Sequence, residues 1–275
     1  MLLMLPLSPG KIARYLTLRS AGAITGAIPG ALSLSLLALL AGPSWAQAQT
    51  ESSLSSVIFN APPPPPGQGA PSGRRDGGAS RGNCPEYGDL AALVPITEGR
   101  VWGQTTAAQP TLWFYLPAAV TPETQIELIV QDADDNTLYE TSLAVEAEAG
   151  TIAIALPETV TLPVNEPHYW ILSLYCDPER PTSLVFVSGT IERVSVSGLA
   201  PLTADTERSL SQAQAYANAG MWHDALTVLA ELRQANKISL DEPAIEIQAA
   251  WTALLEQVGL TQAATAPVQP CCELE

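Results

Sequence analysis

The chain has 275 residues, 47% of them hydrophobic, and 28 acidic side chains against 12 basic ones give a formal net charge of −16. So acidic a chain repels phosphate backbones and anionic lipid surfaces, which excludes nucleic acid as a partner. Solubility accounts for the charge, and attraction of a cation or a basic protein surface is the sharper alternative.

At the N-terminus Lys11, Arg14 and Arg19 precede the uncharged run "AGAITGAIPGALSLSLLALLAG", which leads into "PSWAQAQ". This is the pattern of a secretory signal peptide, with cleavage after Ala46 and a second option after Ala48. An uncleaved anchor is the alternative, since about 20 apolar residues span a bilayer, but Pro29 and the glycines weaken such a helix. Removing residues 1–46 takes away three positive residues and no acid, and the net charge falls to −19. No later stretch is long and apolar enough for membrane insertion, so a periplasmic or extracellular location is expected.

Residues 47–83 are rich in Pro, Gly and Ser and have almost nothing apolar after Phe59. They read as a disordered linker, stiffened by five prolines in a polyproline II rod. Arg74, Arg75 and Arg81 form a small basic cluster within it, solvated or touching an anionic partner.

From 84 to 197 short β-branched and aromatic runs alternate with Pro, Gly and Asp clusters, as in an antiparallel β domain. "QIELIVQ" and "LYETSLAVEA" flank the turn "DADDNT" as a hairpin. Ile152, Ile154 and Leu156 share one face of a further strand, and Trp170, Leu172, Leu174 and Cys176 share one face of "HYWILSLYC". About seven strands in some 110 residues favour a two-sheet, Ig-like β-sandwich.

After Gly198 the period lengthens to about three and a half, which predicts helices over 204–218, 222–236 and 243–258. Pro243 suits a first helical turn, with Asp241 or Ser239 as cap. The spacing of Gly220, Trp222 and Ala225 resembles the bend of a tetratricopeptide repeat, although one helix pair is too few for a free-standing array. The fold class expected is therefore α+β, mainly β: a sandwich over 84–197, a small three-helix segment over 198–260 and a disordered tail over 261–275.

Within the β region "RGNCP", "LVP", "PTLWFYLP", "LYE", "IALP", "YWILSLYC" and "GTIERV" recur in the order seen in the cyanobacterial DUF928 family, which the chain resembles over about residues 81–257. The resemblance implies a secreted protein of unassigned function and brings no catalytic residues. "GTIERV" departs from the family's pattern, which has a tryptophan after the glycine.

The chemistry-bearing residues are few. His168 and His223 fall in different segments and read as structural or surface residues. No CxxC, HExxH, GxSxG or GxxxxGK[ST] pattern occurs. Asp132, Asp134, Asp135 and Asn136 offer hard oxygen donors as a weak calcium candidate, yet Thr137 and Leu143 break the EF-hand pattern, and a local turn explains the same residues. Trp102, Trp113, Tyr115, Tyr139, Tyr169 and Trp170 are candidates for sugar stacking, with core packing the simpler reading. In an oxidising compartment Cys84 and Cys176, both inside the resembled motifs, are expected to form a disulfide. Cys271 and Cys272 are candidates for intermolecular bridging or incidental tail residues.

The functional expectation is an exported, non-catalytic protein-interaction or scaffold module of the cell envelope with an unknown protein partner and no cofactor. A glycan-binding or structural envelope domain is the alternative. A hydrolase using surface carboxylates ranks third.

Overall fold

The alternating runs do form strands, and their two faces have different partners. The computed structural model describes residues 57–65, 73–77, 84–177, 179–180, 182–236, 241–270 and 272; the expected signal peptide and Arg81 lie outside them. All described residues belong to one unit, residues 50–275.

Among the described residues nine strands are present: β1 (Ala91–Ala92), β2 (Ile96–Thr97), β3 (Arg100–Thr105), β4 (Thr111–Leu116), β5 (Gln125–Gln131), β6 (Thr137–Ala144), β7 (Gly150–Ala155), β8 (Pro167–Tyr175) and β9 (Leu184–Arg193). They make two sheets, one ordered β1-β4-β7 and one ordered β2-β3-β9-β8-β5-β6. The hairpin of β5 and β6 forms in register, with Leu128 opposite Thr141. All pairs within the two sheets are antiparallel except β3 with β9, which run parallel. The expectation of a purely antiparallel domain is corrected at that pair.

Inward residues of both sheets meet in one core. Ile126, Leu128 and Val130 of β5 pack with Leu112, Phe114 and Leu116 of β4, Ile152 and Ile154 of β7, and Trp170, Leu172 and Leu174 of β8. Each such aliphatic chain, fully buried, stabilises the fold by about 1.5–3 kcal/mol. Trp170 needs a bare backbone beside it. A Cβ on Gly189 would lie 2.4 Å from its ring.

The opposite face of β4 points to a second core. Trp113 and Tyr115 pack with α1 (Leu210–Asn218), α2 (Trp222–Ala235), α3 (Glu242–Gln257) and α4 (Thr261–Thr265). The three-stranded sheet is thus the middle of three layers: six-stranded sheet, three-stranded sheet, helices. Every residue of α2 from Trp222 to Ala230 is buried, which is the burial of a helix packed on all sides.

Helix boundaries follow local chemistry. Ser209 caps α1 by accepting from Gln212 N–H, six residues later than the period predicts. Arg208 holds the preceding stretch in a turn by donating to the carbonyls of Thr203 and Thr206. Asp241 caps α3 by accepting from Ala244 N–H, with Pro243 in the first turn. Between α1 and α2, Gly220 takes φ +81°, a conformation that a side chain strains.

Both segments expected to be disordered pack where they are described. In the 47–83 stretch, Val57 is buried in the helical core and Phe59 meets Trp222 edge-on, with ring centroids 4.9 Å apart. Asn60 N–H and its side-chain amide donate to the last carbonyls of α1, those of Ala217 and Asn218. Arg74 pairs by its backbone with Ser188, and Asp76 forms a bridge to Ala91, so residues 73–77 link the two sheets. In the 261–275 stretch, α4 forms, and Pro267 and Gln269 exchange backbone hydrogen bonds with Thr151. Where they are described, a few apolar anchors and the open ends of other elements hold these stretches at long range.

Candidate functional site

The helical layer is joined to the end of β3 through polar side chains buried at a seam. Asp224, in the first turn of α2, is 1% exposed. Its carboxylate accepts from the hydroxyl of Thr105 at 2.7 Å, the backbone N–H of Thr106 at 2.6 Å and the hydroxyl of Thr106 at 2.8 Å. The Thr106 hydroxyl oxygen in turn accepts from Leu202 N–H at 3.0 Å. Burial pushes the Asp224 carboxyl above its usual range, and the hydrogen bonds from Thr105 and Thr106 act against that shift.

His223 adjoins it, 1% exposed, with neither ring nitrogen hydrogen-bonded. Burial lowers its pKa to about 3, so it is a neutral imidazole. Gly103 makes room for it: a Cβ there would sit 2.9 Å from His223 Nε2. Two indoles complete the seam, Trp113 donating to Thr227 at 2.9 Å and Trp222 to the Leu93 carbonyl at 2.7 Å.

A cleft of about 490 Å³ opens on this seam, lined among others by Gln109, Glu158, Arg193, Arg208, His223 and Glu231. The volume is within the range of small-molecule sites. Arg208 and Glu231 form an ion pair on its wall, and Arg193 donates to the Leu162 carbonyl. Asp224 is committed to holding two layers together, whereas His223 keeps its donor and its acceptor unused.

The sequence-derived candidates sit elsewhere. Cys84 and Cys176 are disulfide-bonded, with Cα atoms 5.9 Å apart across a sequence separation of 92. Cys272 packs against the sandwich core and is also disulfide-bonded; Cys271 lies outside the described residues. The residues of the calcium candidate form a local turn. Asp132 accepts from the N–H groups of Asp134 and Asn136 and from the Asn136 amide, which lowers its pKa, while Asp134, Asp135 and Asn136 remain exposed. Among the described residues no group of three or more His, Cys, Asp or Glu is placed to hold a metal ion.

Of the rings considered for sugar stacking, Trp102, Trp113 and Trp170 are buried and Tyr115, Tyr139 and Tyr169 half-buried. Arg74 lies over the Phe186 ring at 4.7 Å, and Arg75 donates to the Val258 carbonyl at 2.6 Å, so these two basic residues bind within the fold. His168 is buried, and desolvation lowers its pKa. Residue patterns did not single out Thr105, Thr106 and Asp224; the one signal was an acid inside the apolar run from Trp222 to Ala230.

A family model described as Domain of Unknown Function (DUF928) matches residues 76–268. The chain belongs to this family. The matched DUF928 span takes in both sheets, all four helices and the seam, so the helical layer is part of the family's domain. No curated protein and no solved structure matches the chain. Among the described residues no helix is long and apolar enough to cross a membrane.

Proposed function

We propose that this DUF928 protein is an exported, non-catalytic protein-interaction or scaffold module of a cyanobacterial cell envelope. The observation that carries the reading is the open edge of the larger sheet. Strand β6 ends the six-stranded order, runs for eight residues without proline or lysine, and exposes 40% of Leu138. Such an edge presents backbone donors and acceptors to an added strand. The disulfide supports an oxidising compartment. Strand order supports an immunoglobulin-like reading of the sandwich: the first strands divide between the sheets, and β3 lies parallel beside the last strand, β9.

The test is affinity capture from envelope extract with the wild-type chain and a Leu138→Lys, Ser142→Lys variant. A discrete protein captured by the first and lost from the second is expected. Equal capture by both, or capture of polysaccharide alone, contradicts the reading.

A second reading, a glycan-binding domain, draws on the 490 Å³ cleft with its polar wall and unpartnered His223. Formal charges on that wall nearly cancel, which favours a neutral, hydroxyl-bearing ligand. Calorimetric binding of envelope oligosaccharide, weakened by Arg208→Leu, is its expected signature.

A further inference from the structure

Trp102 is on the wrong side of the sheet to be core. Its neighbour Val101 faces the sandwich interior, and its register partner Thr190 stands beside Tyr169 on the outward face. Yet Trp102 is only 2% exposed. The cover comes from outside the family span: Pro64 and Pro65 close over a small cavity whose other walls are Arg100, Trp102, Pro167, Tyr169 and Thr190.

A strap made by residues 57–65 delivers these prolines. It is anchored by Val57 and Phe59 in the helical layer and by Asn60 on the end of α1. Its last four residues belong to a run of five prolines, 62–66. Proline runs favour polyproline II, a helix without internal hydrogen bonds whose carbonyls stay free, and aromatic-lined grooves are what such segments dock into.

One atom separates a finished structural contact from a recognition seat. The Trp102 indole N–H is buried and has no acceptor. Buried polar groups are nearly always satisfied, so this unmatched donor calls for an explanation. The strap supplies apolar cover to the ring and leaves its donor unused.

We propose that the Trp102–Tyr169 groove is a recognition site for a proline-rich, polyproline II segment of another protein, and that Pro64 and Pro65 are its resident stand-in. The incoming segment displaces the strap's prolines and accepts the Trp102 N–H with a backbone carbonyl. This rests on the reading of the chain as an interaction module. It uses a surface apart from the β6 edge, so that failure of the edge test leaves the groove untouched.

The test uses the full exported chain and a synthetic decaproline peptide, read by the indole ¹H–¹⁵N signals of the five tryptophans that follow Ala46, with Trp102 assigned by Trp102→Phe. Decaproline is expected to move the Trp102 signal downfield. It should bind a Pro64→Gly, Pro65→Gly variant at least tenfold more tightly than the wild type, and Tyr169→Ala should abolish the shift. If the glycine variant does not fold, the wild-type titration carries the same readout. No movement of the Trp102 signal at about 10 mM peptide overturns the proposal. So does a concentration-dependent dimer of the glycine variant in place of peptide binding, which would assign the groove to the strap of a second copy.

Discussion

The carboxylate of Asp224 accepts both the backbone N–H and the hydroxyl of Thr106, at 2.6 Å and 2.8 Å, across the seam between helix α2 and the end of strand β3. Replacing Asp224 by Ala leaves the Thr106 N–H and the hydroxyls buried without their acceptor. A loss of about 3 kcal/mol is expected, since each orphaned buried donor costs roughly 1–3 kcal/mol. Urea unfolding should show it as a lower midpoint, whereas Glu158→Ala, an exposed position, should leave the midpoint within about 0.5 kcal/mol of the wild type.

His223 makes stability depend on pH in a defined direction. Burial holds its pKa near 3, against 6.5 for an ordinary imidazole. Between those values the unfolded chain binds a proton that the folded chain refuses. Its contribution is therefore complete above pH 6.5 and falls by about 1.4 kcal/mol per pH unit below it. His168, also lowered by burial, acts in the same sense. Asp224, raised by burial, acts oppositely: its proton uptake favours the folded state as pH falls. The clean measurement is a difference between two slopes of stability against pH, which His223→Gln should flatten by one proton relative to the wild type.

The Cys84–Cys176 bond spans a sequence separation of 92, for which chain entropy gives roughly 4–5 kcal/mol of stabilisation. A Cys84→Ser, Cys176→Ser variant should lose stability of that order. Peptide mapping of exported protein without reductant should recover the two cysteines joined.

Gly220 lies against the strap. A Cβ there would lie 3.0 Å from the Asn60 carbonyl oxygen, at a φ of +81°. Gly220→Ala should cost about 1–3 kcal/mol from the backbone conformation. It should also speed proteolytic cutting near residues 60–65, because the obstructed carbonyl belongs to the strap.

Local patterns were the legible part of this chain. Alternation in Ile126, Leu128 and Val130 placed β5 correctly, the Asp-rich turn joined it to β6, and export chemistry paired Cys84 with Cys176. Each of these depends on neighbours in sequence or on a compartment. The strap, the bridge of Val268 to Thr151 and the seam depend on surfaces that exist only after the sheets have formed. Val57 and Phe59 were too few to predict order by composition, yet two anchors suffice when α1 offers open carbonyls at its end. Trp102 shows the same gap between pattern and packing: its face could be read from alternation with Val101, but its cover comes from Pro64 and Pro65, which sequence composition assigned to a free linker.

Site-specific photo-crosslinking in the native envelope tests the central claim most directly. A photoreactive residue at Leu138 or Ser142 on β6 is compared with one at Ile245, an apolar position on α3 that is more exposed than Leu138. The account predicts a discrete protein adduct from both β6 positions and none from Ile245. Adducts of equal yield from all three positions, or none from β6, would contradict it.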